Sequence, residues 1–256
     1  MWPRPGSSPS GSAVRAEADR FLPVKPVFNH PWELSPEAAA ALQKELAARV
    51  IQAGRPDNVR LVAGVDLAAG RHNGQARAAV VLLDYPGLEV RQVAVAEGPL
   101  TFPYIPGLLS FRETPLILRA FEQVAASPDL IFVDGQGIAH PRRFGIACHI
   151  GVLFDLPTIG VAKSWLIWRE VKPAAPGPNR GDRVVLQARD GPVGAAVRTQ
   201  PGAAPVYVSV GHRVDLQAAV DWTLACVRDH RLPEPTRLAD LASRGRLGIS
   251  AQLGLW

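Results

Sequence analysis

PDLIFVDGQGIAHPRRFGIACHIGVLFDLPTIGVAK, residues 128–163, is the stretch on which the fold turns. PDLIFVD is a short, unbroken apolar run that stops on Asp134, the pattern of a strand buried on both faces. Two glycines, Gly135 and Gly137, follow at once, then His140, Arg142 and Arg143. RRFGIACHIGVLFD reads as a helix, and PTIGVAK as a second short strand ending at Lys163. A purely structural loop has no need of a carboxylate, glycines and cations in that order.

Upstream, SPEAAAALQKELAARVI, residues 35–51, carries an N-cap serine, Pro36 at the first helical position and an alanine-rich run, so the pattern predicts a helix. Three strand-like runs come next, at 60–69, 75–85 and 88–98, with turns at His72-Asn73-Gly74 and Pro86-Gly87 that suit antiparallel connections. FRETPLILRAFEQVAAS, 111–127, places Leu116, Ile117, Phe121 and Val124 at helical spacing. The order is therefore β-β-β-α-β-α-β, a mixed sheet with helices on both faces. That is the order of the ribonuclease H-like fold, in which the strand ending at Asp134 lies beside the strand carrying Asp66. Downstream, DRVVLQARDGPVGAAVRT turns at Asp190-Gly191 as a hairpin. YVSVGHRVD then leads into the helix DLQAAVDWTLACVRDH, with a last helical segment near 236–244. The Pro/Gly/Ser-rich residues 1–25 read as a flexible extension, and 26–256 as one catalytic domain.

Composition narrows the class. Of 256 residues, 47% are hydrophobic and 20% charged, as in a globular chain with a core. There are only two cysteines, Cys148 and Cys226, and no C-x-x-C pair, which argues against a disulfide framework or a cysteine zinc site and fits a reducing cytoplasm. The most apolar region, 144–162, is broken by His149, Asp155 and Pro157 and makes a poor membrane span. A net charge of +5 permits binding to a polyanion without requiring it.

Asp66 and Asp134, on adjoining strands, would repel unless protonated or bridged by a cation, and oxygen ligands favour Mg²⁺ or Mn²⁺ over zinc. Glu113, read as lying in the first turn of its helix, either complements the helix dipole or joins that cluster. Lys163 is either an ordinary surface lysine or a cation placed for a phosphoryl oxygen. His140, Arg142 and Arg143 at a helix start offer a phosphate site. His149 reads as a packed core histidine; His212, between a strand and a helix, is either a ligand or water-positioning group, or a structural hydrogen-bonding residue. PYIPGLLSFRE, 103–113, holds Tyr104 and Ile105 at the tip of a stiff loop. There the tyrosine either wedges between bases or packs on its neighbours. Gly107, Gly135 and Gly137 either admit a flat ring or serve turns.

Taken together, VAGVD, AAVVLLDYPGLEV, PYIPGLLSFRE, the long block from Pro128 to Ser164 and YVSVGHRVD, in this order, resemble endonuclease V over residues 35–245. The resemblance implies a ribonuclease H-like enzyme that repairs deaminated adenine in the cytoplasm. Such an enzyme recognises deoxyinosine in DNA and hydrolyses the second phosphodiester bond on its 3′ side with Mg²⁺ or Mn²⁺, leaving 3′-hydroxyl and 5′-phosphate ends. It further implies Asp66, Glu113 and Asp134 as the metal-binding carboxylates, with Lys163 and His212 completing the catalytic group. Tyr104 and Ile105 would form the wedge, and Gly107, Leu109, Gly135, Gly137 and Ile146 the base pocket. His140, Arg142 and Lys163 would meet phosphates. The chain departs from the expected VDGHG at Gln136, and Leu-Ala-Ala follows Asp66 where the family more often has an aromatic. RNA or single-stranded nucleic acid bearing inosine are further expected substrates, with no membrane and no obligate protein partner. A different ribonuclease H-like nuclease acting on branched DNA, and a non-catalytic nucleic-acid-binding protein, are the competing readings.

Overall fold

A computed structural model describes residues 24–69, 75–166 and 174–247. Helix α1 (Pro36–Ala47) is capped by Ser35, whose hydroxyl accepts from the Ala38 N–H. It stops short of the expected residue 51 because Ile51 leaves for another partner: the Arg213 N–H donates to the Ile51 carbonyl at 2.7 Å. Strands β1 (Leu61–Ala69), β2 (Gln75–Asp84) and β3 (Glu89–Pro99) form an antiparallel meander. Helix α2 (Leu109–Phe121), strand β4 (Leu130–Val133), helix α3 (Ile146–Phe154) and strand β5 (Thr158–Ala162) follow. The order β-β-β-α-β-α-β is as expected. A hairpin of β6 (Arg183–Ala188) and β7 (Gly191–Val197), strand β8 (Val206–His212) and helices α4 (Leu216–Ala225) and α5 (Glu234–Ser243) complete the described chain. Of the expected N-terminal extension, residues 1–23 lie outside the described residues.

The eight strands make one sheet in the order β3-β2-β1-β4-β5-β8-β7-β6. β1, β4 and β5 run parallel at its centre, and β8 runs antiparallel to β5, pairing Thr158 with His212 and Ala162 with Tyr207. Alternate residues of the central strands face opposite ways. Val62, Leu130 and Phe132 enter a core closed by Leu238, Ala239 and Ala242 of α5 and Ala218, Ala219 and Val220 of α4. Ala63, Val65, Ile131 and Val133 enter the other, closed by Leu116, Ile117, Ala120 and Phe121 of α2. Helix α3 is buried at every position and contributes to both. It is shorter than RRFGIACHIGVLFD because Arg143 adopts a left-handed conformation (φ 55°) and Gly145 is the N-cap, so the basic residues precede the helix rather than begin it.

Close backbone approaches at Gly64 and Gly137 need glycine. A Cβ on Gly64 of β1 would lie 1.8 Å from the Pro235 carbonyl oxygen, so the first turn of α5 rests directly on β1. A Cβ on Gly137 would lie 1.9 Å from the Val210 carbonyl oxygen, so the loop after β4 presses on β8.

The segment before α1 is tied to this core. His30 Nε2 and His149 Nε2 are 2.7 Å apart, stacked with Trp32 and ringed by Phe111 and Phe144. The Pro31 carbonyl, 2.8 Å from His30 Nδ1, can only accept, so His30 carries its proton on Nδ1 and receives one from His149 Nε2. From α1, Gln43 Nε2 donates to the carbonyls of Gly107 (3.1 Å) and Phe144 (2.6 Å).

Candidate active site

Parallel strands bring their C-terminal ends to one edge. Val65 pairs with Val133, so Asp66 and Asp134 leave β1 and β4 side by side, and Lys163 leaves β5 at the same edge. The Asp134 N–H donates to the Val65 carbonyl at 2.9 Å, continuing the ladder by one step. The third carboxylate is Asp240 of α5, which the contact at Gly64 lowers onto β1. One oxygen from each of Asp66, Asp134 and Asp240 lies within 4.8 Å of the others. Lys163 Nζ sits 2.6 Å from Asp134 Oδ2 and 2.6 Å from Asp240 Oδ1. Ser243, one turn beyond Asp240, donates its hydroxyl to Asp66 Oδ2.

The electrostatics follow from crowding. Burial and the neighbouring Asp66 push Asp134 up to about 6, against the pull of Lys163. Burial raises Asp66 too, although the Ser243 hydroxyl opposes it. Burial, with Asp66 and then Asp134 beyond it, pushes Glu113 up to about 8. Burial also works against ionised Asp240, but Lys163 and Arg244 together hold its carboxyl below the usual value. Lys163 loses to burial and gains more from its two carboxylates, and its pKa rises. An all-oxygen, partly buried carboxylate set in which Asp66 and Asp134 are raised by burial suits a hard divalent cation, and among the described residues no histidine or cysteine joins it.

The structure corrects several expectations. Glu113 lies in the second turn of α2, not the first, where it feels the charges of Asp66 and Asp134; Asp240, which the sequence did not point to, joins those two in the close triad. His212 is not at this edge. Because β8 is antiparallel, His212 ends it at the opposite edge, where its Nδ1 accepts from the Ile51 N–H (3.2 Å) and its Nε2 faces Asp155 Oδ1 (3.1 Å). Arg213 binds both oxygens of the same Asp155 at 2.7 Å, a structural clamp. His140 is 4% exposed, and burial with Arg142 nearby lowers its pKa to about 4, so it is neutral and unsuited to pair with phosphate. Arg142, half-buried, is committed to the Gly107 carbonyl (2.6 Å) and Gln43 Oε1, bracing the loop that holds Gly107. Gly137 packs on β8, as described, and lies behind the pocket.

The remaining candidates do come together. A cavity of about 340 Å³ opens beside the carboxylates, lined by Tyr104, Ile105, Gly107, Leu109, Gly135 and Ile146, and reaching Asp134 and Lys163. Tyr104 is 72% exposed at its mouth, free of the packing that the structural alternative requires, whereas Ile105 packs partly against Phe102, Leu108 and Phe111. The turn bearing Lys163 is fixed from two sides. Arg231 donates to the Lys163 carbonyl (2.8 Å), and Gln136 Nε2 to the Ser164 carbonyl (3.0 Å). Asp240 and Ser243 escaped the sequence reading, although their i, i+3 spacing puts both on one face of α5.

Known proteins agree with this geometry. The sequence pattern of endonuclease V matches residues 44–241. Endonuclease V of Roseiflexus castenholzii is 50% identical over 226 residues, 88% of this chain and 99% of the relative. The crystal structure of endonuclease V from Streptomyces avermitilis superposes with a TM-score of 0.78 at 47% identity, covering 84% of this chain and 94% of that one. A point variant of endonuclease V of Ciona intestinalis, solved with a 23-mer DNA containing an inosine followed by a ribo-adenosine, gives a TM-score of 0.71 at 26% identity, covering 84% and 98%. The fold, the carboxylate edge and the adjoining cavity are accordingly those of a member of the endonuclease V family, to which this chain belongs.

Proposed function

We propose that the protein is a DNA repair endonuclease that takes the deaminated base of deoxyinosine into the cavity and hydrolyses the second phosphodiester bond on its 3′ side, using Mg²⁺ or Mn²⁺. The carrying observation is that Asp134 and Lys163 belong both to the carboxylate cluster and to the cavity wall, so one binding event places base and backbone together. A divalent cation bound there supplies charge neutralisation at the phosphodiester and lowers the pKa of water. Asp66, Asp134 and Asp240 would hold it, while Ser243 keeps Asp66 oriented. Lys163, fixed by Arg231 and Gln136, presents an ammonium to a phosphoryl oxygen, and Glu113 completes the acidic wall. Tyr104 fills the gap in the stack as the base leaves it, a step that is cheapest for a mispaired base. The Ciona relative holds DNA with a ribose after the inosine, which favours inosine-containing RNA as a second substrate class. A cytoplasmic location belongs to the same proposal and is checked by cell fractionation.

The test is a Mg²⁺-dependent cleavage assay on end-labelled duplexes carrying one deoxyinosine or the matching adenine. The expected product is a nick one nucleotide beyond the inosine, absent from the adenine control and from Asp134→Ala, which still binds the inosine duplex. Equal nicking of both duplexes removes the base-recognition reading, and undiminished cleavage by Asp134→Ala removes the metal site.

A further inference from the structure

Two residues of the cavity wall each carry a buried polar atom that the protein leaves without a partner. Gln136 is 7% exposed and Ser110, on α2, is 2% exposed; both line the cavity, and Gln136 Oε1 and Ser110 Oγ are buried with no hydrogen bond. A buried unpaired acceptor is unfavourable and is retained where something else satisfies it. The carboxamide of Gln136 cannot simply turn over. Its Nε2 donates to the carbonyl of Ser164, another cavity residue, and the reverse orientation would set oxygen against oxygen. The amide is therefore held with its oxygen unused.

Resting on the function proposed above, we infer that Gln136 is a specificity-determining residue whose Oε1 accepts the ring N–H of a lactam base in the cavity. Deamination of adenine converts N1 from a bare acceptor into an N–H donor beside a carbonyl. An acceptor-only atom thus pairs with hypoxanthine and opposes adenine, lone pair to lone pair. Sites built to hydrogen-bond a substrate donor reject analogues that lack it far more strongly than apolar pockets do. The ligand class is a nucleobase with a lactam N–H on its pairing edge. The Ser110 hydroxyl, able to donate or accept, remains for a second polar atom of the same ring.

Single-turnover cleavage of single-stranded oligonucleotides by the full chain with Mg²⁺ tests this. The substrates carry deoxyinosine, deoxyadenosine or deoxynebularine, the purine without the 6-oxo group and the N1 hydrogen. The rate ratio of inosine to nebularine should fall by about tenfold or more in Gln136→Leu. Loss of the Ser164 bond slows both substrates alike and cancels in that ratio. Gln136→Met, similar in shape, serves if the leucine variant does not fold. An unchanged ratio in a folded variant overturns the inference while leaving the enzyme's preference for inosine over adenine intact. Absence of that preference in the unaltered protein overturns the proposed function and this inference together.

Discussion

Asp240 and His212 show how far a single side chain can be judged from its neighbours in sequence. His212 sits in a run, YVSVGHRVD, that marks a strand end just as Asp66 and Asp134 do, but a sequence does not state the direction of that strand. Antiparallel pairing with β5 carries it to the far edge, where Ile51 and Asp155 occupy both ring nitrogens. Asp240, in the ordinary-looking helix EPTRLADLAS, reaches the site only because α5 lies on β1. Opposite outcomes are expected: Asp240→Ala should fold and lose inosine-dependent cleavage, while His212→Ala should keep cleavage and lose about 1–3 kcal/mol of stability. Urea denaturation beside the nicking assay separates them; cleavage lost from a folded His212→Ala would contradict the clamp. Asp66, Asp134, Lys163 and Tyr104 were legible because each interrupts a local pattern. Gln43 and Ser243 were not, since their partners are set only by packing.

Elements were readable where their period was pure. The apolar runs of β2 and β4 gave strands, and Ser35-Pro36 gave the start of α1, within a residue or two of the observed bounds. Ends failed where a tertiary partner intervened, as at Arg143, whose left-handed backbone delays α3, and at Ile51, drawn off to Arg213. The docking of α5 on β1 has the most demanding element-scale requirement. Gly64→Ala would push a methyl into the backbone at Pro235, where no side chain can move aside. Destabilisation of about 1–3 kcal/mol or more is expected, together with weaker metal dependence as Asp240 is displaced from Asp66. Thermal melting with and without Mg²⁺ measures both; a wild-type metal-induced shift in the variant would mean that Asp240 does not depend on this contact.

For the molecule as a whole, buried histidines and crowded carboxyls set opposite pH limits. His30, His149 and His140 are held below their usual pKa by burial, so below pH 6.5 the unfolded chain takes up protons that the fold refuses, and stability falls with acid. Glu113, raised to about 8, keeps in the fold a proton that the unfolded chain has released, so stability also falls as pH rises from 6.5 to 8, by about 2 kcal/mol at most. In chelator, melting should therefore peak near pH 6.5, and Mg²⁺ should remove the alkaline fall but not the acidic one. A flat profile from 6.5 to 8 in chelator would remove Glu113 from the cluster. The histidine pair has one more consequence. The family pattern begins at residue 44, yet His30 grips His149 in the turn of α3 that also carries Ile146, and Gln43 holds the carbonyls of Gly107 and Phe144. A protein trimmed to the span of that pattern would keep every carboxylate and lose the buttress behind the base cavity, so the boundary of the working enzyme lies upstream of the boundary of its signature.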